Sequence, residues 1–303
     1  MSKPIPIDTA KILAAVVVPW TERYEFDEGR FCREVRIITA GLTPYVYTFG
    51  TAGEGYAVNE AQFDRIAEAF WRSARECGGF PILGIISLSL STVIGRIERG
   101  HALGFRDFQL SLPAWGELND EELDAFFTET CGRFPDCHFH HYNLARTKRV
   151  LTSAEYLRLA AAHPNLVSVK AGGRNPAVIA DLLKATSRLR FFFTEFGYEM
   201  ARRSTDDVGL LISLASADYA RARAYVEGDQ ARRTADVQDM QVMIEALQAI
   251  AKERKLHIDG AFDKMLFRLN DPSFPLRLLS PYQGATEEEF VRFKHALPPG
   301  WSG

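Results

Sequence analysis

Short runs of β-branched and aromatic residues alternate with longer amphipathic stretches along most of the chain, the pattern that builds parallel sheets with crossover helices. The predicted strands are Ile12–Val18, Pro44–Phe49, Ile82–Ile86, Phe105–Leu110, Cys137–Tyr142, Leu166–Val169, Leu189–Phe193 and Gly209–Ile212. Most are continuously apolar, as strands covered on both faces must be. Between them lie helical patterns with recognisable starts: Asn59 before Glu60, Asn119 before Asp120 and Thr152 before Ser153, each ahead of apolar residues at helical spacing. An open doubly wound sheet would also alternate in this way. Eight units in succession favour a closed (β/α)8 barrel of the α/β class over residues 1–228.

After Gly228 the rhythm changes. A long helix-forming segment from Gln230 to Lys255, another from Gly260 to Leu269 and a last one opened by Thr286 follow one another without strands, joined by a stretch holding Pro272, Pro275 and Pro281. Residues 229–303 are therefore expected to form a helical extension packed on the barrel. Composition adds only exclusions. With 47% hydrophobic and 25% charged residues the chain reads as an ordinary globular protein, and a net charge of -3 with dispersed basic residues argues against nucleic-acid or membrane partners. The apolar run Ile12 to Pro19 is too short to span a bilayer and lacks the flanks of a signal peptide, so a cytoplasmic location is expected. Cys32, Cys77, Cys131 and Cys137 form no CxxC pair and have no histidine at ligand spacing, so neither a metal nor a disulfide framework is expected.

Chemistry in a parallel barrel sits at the C-terminal ends of the strands. Lys170 follows Leu166-Val167-Ser168-Val169 there. Among apolar neighbours its charged form is disfavoured, and a neutral amine can attack a ketone, though a strand-end lysine can equally snorkel to solvent. Tyr142 precedes it by about one strand–helix unit and would stand on the adjacent strand, where a phenol can relay protons or simply fill the core. Gly50-Thr51-Ala52-Gly53-Glu54 offers backbone N–H groups and a hydroxyl in a tight turn, a cradle for a carboxylate. Glu195, after the seventh strand, is either a substrate-specific acid/base or hydrogen-bonding group or an exposed strand-end carboxylate. His138, His140 and His141 cluster on the fifth strand and are read as packing residues, His140 on the same side as Tyr142.

In order and spacing these segments resemble the dihydrodipicolinate synthase and N-acetylneuraminate lyase family, from about Ile12 to Gly228. Val18-Pro19-Trp20-Thr21 with Asp27 resembles its first strand end, Gly50 to Glu54 its Gly-Thr-Thr-Gly-Glu turn, Tyr142-Asn143 its Tyr-Asn pair and Val169-Lys170 its Schiff-base site. Leu211-Ile212-Ser213 resembles its Val-Ile-Ser strand, and Leu276-Arg277 a basic position near its C-terminus. The resemblance implies a class I lyase acting on pyruvate or a related 2-oxo acid: Lys170 forms a covalent imine, Tyr142 relays protons, and Gly50, Thr51 and Ala52 hold the carboxylate, with Ile212 beside them. No metal or organic cofactor is implied, and a homo-oligomer, a tetramer built from dimers, is.

The chain also departs from the family. Ala52 replaces the turn's second hydroxyl. Trp115 stands where many members lend a tyrosine to a neighbouring subunit, and indole cannot relay a proton as phenol does. Arg146 matches the family's carboxylate-gripping arginine only with a one-residue gap, and Thr194 to Tyr198 do not match the sugar-binding residues of sialic-acid lyases. Aldol-type carbon–carbon chemistry is the leading expectation. Dehydration of a 2-keto-3-deoxy sugar acid, dihydrodipicolinate synthesis itself and a non-catalytic binding homologue are the alternatives.

Overall fold

The computed structural model describes residues 7–255 and 258–301. Eight parallel strands close into a barrel in chain order: β1 (Ile12–Ala15), β2 (Tyr45–Thr48), β3 (Phe80–Gly84), β4 (Asp107–Leu110), β5 (His138–Asn143), β6 (Leu166–Ala171), β7 (Arg190–Phe193) and β8 (Val208–Leu211), with β8 pairing back onto β1. The helices after them are α1 (Glu28–Gly41), α2 (Glu60–Glu76), α3 (Leu90–Leu103), α4 (Asp120–Phe127), α5 (Ser153–Ala162), α6 (Pro176–Leu182), α7 (Glu195–Arg202) and α8 (Tyr219–Glu227). The expected barrel is thus observed. So is the helical C-terminal extension, as α9 (Gln230–Arg254), α10 (Ile258–Asn270) and α11 (Glu287–His295). Among the described residues no helix is long and apolar enough to cross a membrane.

The helix starts follow from local chemistry. Asn59, Asn119, Thr152 and Thr286 each close a capping box with Gln62, Glu122, Glu155 and Glu289 respectively, satisfying backbone N–H groups that the first turn leaves unpaired. Strand ends were less legible. The apolar run at Ile12–Val18 outlasts β1: Val16, Val17 and Val18 remain fully buried beyond the ladder, so hydrophobicity there reports burial and not extension. Conversely, β6 runs past Val169 and carries Lys170 on the strand itself, and β5 carries Asn143.

Two cores result. The larger lies between the strands and the helix layer and includes Phe31, Ile38, Phe63, Phe108 and Phe191. The smaller includes Leu13, Ala15, Tyr45, Tyr47, Ile82, Phe192 and Leu211 from β1, β2, β3, β7 and β8, joined by Ile7 and Ala10 from ahead of β1. It fills the lumen: Gly209 leaves the space that the Phe192 ring takes, since a Cβ there would come within 2.4 Å of it. Strands β4, β5 and β6 line their side of the lumen with polar groups instead. His140 bonds Ser168 Oγ at 2.6 Å and Asp107 Oδ1 at 3.1 Å, all three buried, and one pleat further along lie Gln109, Tyr142 and Lys170.

Candidate active site

Lys170 is the penultimate residue of β6, is paired in register with Tyr142 on β5 and is 3% exposed. Its Nζ donates to Gln109 Oε1 at 3.1 Å. It lies 3.7 Å from the ring centroid of Tyr142 and 3.9 Å from that of Tyr47 on β2, a strand that reaches it only across the lumen. The amine is therefore held from three strands, between two aromatic faces and an amide oxygen. Gly50 closes over it: a Cβ there would meet the Tyr47 ring at 2.9 Å and Nζ itself at 3.2 Å.

A cavity of about 210 Å³ opens from this amine and is lined by Tyr47, Thr51, Ala52, Tyr142 and Ile212 from the strand ends and by Asp263 from α10. The turn that supplies Thr51 and Ala52 is conformationally costly. Phe49 and Glu54 have φ of 57° and 52°, a left-handed region that bulky residues avoid. Gly55 is required beside them, because a Cβ would lie 2.3 Å from the Phe49 carbonyl oxygen. The turn is held from below by Glu54, which has no exposed surface and accepts from Trp20 Nε1 at 2.8 Å, from the Leu279 amide at 2.7 Å and from Lys264 Nζ at 2.5 Å. Lys264, equally buried, also donates to the Arg277 carbonyl, whose guanidinium donates in turn to the Trp20 carbonyl. Burial pushes the Lys264 pKa down, opposed by the Glu54 carboxylate beside it. The Arg277 position of the family pattern is thus part of a strap tying the extension to the turn.

The other predicted site residues are placed differently. Arg146 lines a neighbouring cavity of about 580 Å³ that shares Thr51 with the first and is also walled by Tyr56, Arg96 and Tyr282. Trp115 lines neither cavity; it stands 83% exposed, its carbonyl accepting from Lys148 Nζ. Glu195 is 1% exposed and is spent on the backbone, Oε1 accepting from the amides of Ser213 at 2.6 Å and Ala215 at 3.0 Å. Burial raises its pKa and those two amides oppose the rise. It shapes the end of β8 and does not line the lysine cavity. Of the three histidines, His140 faces the lumen, His138 lies beside Asp107 and His141 faces outward to bond the Tyr156 hydroxyl at 2.7 Å. One grouping with ligand atoms within 4.8 Å of one another escaped the spacing argument because its histidine comes from α3: His101, Asp136 and Cys137. It precedes β5 and so lies at the opposite end of the barrel from Lys170.

Sequence reasoning missed Tyr47, Gln109 and Asp263. Gln109 carried a signal, a lone amide between the apolar Phe108 and Leu110 at the C-terminal end of its strand. Tyr47 was indistinguishable from a core aromatic, and Asp263 arrives from a helix remote in sequence.

A sequence profile of the dihydrodipicolinate synthetase family matches residues 8–255. The chain belongs to that family. The match extends beyond the expected Ile12 to Gly228 into α9, and the family comprises lyases and synthases. The fold agrees throughout. A monomeric dihydrodipicolinate synthase variant superposes with a TM-score of 0.81 at 17% identity, covering 97% of this chain and 98% of that one. YagE, a prophage protein of the dihydrodipicolinic acid synthase family from E. coli K12 solved in complex with pyruvate, gives 0.81 at 14% identity, covering 95% and 97%. CdNal from Clostridium difficile, solved in complex with mannosamine, gives 0.78 at 16%, covering 95% and 98%. No curated protein matches the sequence. As a member of the dihydrodipicolinate synthetase family the chain is a lyase of the pyruvate-type aldolase class.

Proposed function

We propose that Lys170 is the Schiff-base residue of a class I lyase that makes or breaks a carbon–carbon bond in a 2-oxo acid. The observation that carries this reading is the Lys170 amine, buried at the floor of a cavity between two phenol rings, with the strained turn at Thr51 and Ala52 beside it. The amine adds to the ketone carbon, giving a carbinolamine. Its hydroxyl leaves as water on taking a proton from Tyr142, and the C=N bond forms. The resulting iminium is a cation, which the two ring faces suit better than a dry cavity alone would. It draws the electron pair of the C3–C4 bond into an enamine as the C4 hydroxyl gives its proton back to Tyr142 and C4 departs as an aldehyde, and a proton added at C3 then restores the imine for release by water. The imine is itself the electron sink, so the chemistry calls for no metal. The pyruvate held by YagE supports a 2-oxo acid as the ligand class. The exposed Trp115 is read, with the family's assembly, as a side chain offered to a second copy of the chain.

The test is borohydride reduction in the presence of pyruvate, followed by peptide mass analysis. A reduced pyruvyl adduct on the peptide carrying Lys170, absent from Lys170→Ala, is the expected outcome. An unlabelled protein, or a label that survives the substitution, refutes the assignment.

A further inference from the structure

Ala52 removes a hydroxyl from the turn that faces the lysine, yet the same cavity holds another hydroxyl that the turn does not supply. Tyr47 lines it, and its ring lies against the Lys170 amine. The Tyr47 ring lies face-on to Lys170 Nζ at 3.9 Å, so the hydroxyl, in the ring plane, reaches past the nitrogen instead of touching it. A substituent on the imine carbon, and not the imine nitrogen, is what it can meet. We propose that Tyr47 donates a hydrogen bond to the substrate carboxylate, replacing the side-chain donor lost at Ala52.

The proposal rests on the Schiff-base reading of Lys170 and adds to it a second, intrachain phenol with a distinct task. Burial raises the Tyr47 pKa well above its ordinary value, with Tyr142, Asp263 and Glu195 adding to the rise. Such a phenol stays protonated and is a standing donor, whereas a proton relay must give up its proton and recover it. The task of Tyr47 is therefore recognition, and proton transfer belongs to Tyr142. A neutral donor lost from a charged acceptor in a dry site lowers affinity roughly tenfold or more.

The experiment compares borohydride labelling of wild type, Tyr47→Phe and Lys170→Ala with pyruvate and with its methyl ester, which keeps the ketone and lacks the carboxylate charge. Tyr47→Phe retains the ring against the amine, and circular dichroism confirms that the variant is folded. The expected result is a half-saturating pyruvate concentration raised about tenfold or more, with labelling by the ester changed less than twofold. Unchanged pyruvate labelling in Tyr47→Phe overturns the proposal alone. Equal loss with pyruvate and ester also overturns it, because the phenol then serves the amine or the fold. No labelling of the wild type overturns the Schiff-base reading and this proposal with it.

Discussion

Replacing Lys264 with methionine removes one charge from a pair with no solvent exposure on either side and leaves the Glu54 carboxylate buried. Stranding a buried ion in this way costs about 3–5 kcal/mol. Glu54 keeps the Trp20 indole and the Leu279 amide as donors, so the lower end, about 3 kcal/mol, is expected. That is a large share of the roughly 5–15 kcal/mol that stabilises a domain. Glu54→Gln should cost less, because burial already pushes the Lys264 pKa down and the amine left behind can shed its proton. The double variant should then be more stable than the sum of the single losses predicts, since no unpaired charge remains. Urea unfolding at pH 7 measures all three, and borohydride labelling of the same preparations reads whether the Thr51-Ala52 turn has moved. A Lys264→Met loss below about 0.5 kcal/mol, or strictly additive losses in the double variant, refutes the reasoning.

Glu34 is buried with both carboxylate oxygens unpartnered, and burial, with Asp271 nearby, raises its pKa from 4.5 to about 7 against Arg33 and Arg30. A raised carboxyl favours the fold fully below pH 4.5, and that stability is lost as pH rises through 7, so Glu34→Gln should be the more stable protein at pH 8 by on the order of 2–3 kcal/mol and gain nothing at pH 4, read by thermal unfolding. His141 behaves oppositely: burial lowers its pKa to about 3, so stability present above pH 6.5 is lost as pH falls toward 3, and His141→Gln should flatten the acid limb of the same profile. Gly55→Ala puts a methyl into the Phe49 carbonyl and should lower both stability, by more than about 1 kcal/mol, and the rate of pyruvate labelling; an unaltered protein would show that the turn is not held as tightly as its contacts require.

Much was legible in the chain because the information was local. Eight apolar runs, the N-cap residues Asn59, Asn119, Thr152 and Thr286, and the register of a strand-end lysine one unit after a strand-end tyrosine all follow from side-chain period and capping chemistry, which need no partner far away in sequence. The barrel and the pairing of Tyr142 with Lys170 were therefore foreseeable. Closure of the barrel decided the rest. Only when β2 faces β6 across the lumen does Tyr47 become a wall of the lysine site as well as a core aromatic, and only when β4 lies beside β5 does Gln109 reach the amine. Glu195 reads in sequence as either a functional group or an exposed strand-end carboxylate, and it is neither exposed nor free for substrate, because two backbone amides of the segment after β8 claim it. Glu54 and Lys264, distant along the chain, become a single buried pair only after the extension docks. A sequence specifies which faces must be covered; which groups then meet across a shared interior depends on how the layers close, and burial, charge and hydrogen bonding at the site are set by that closure.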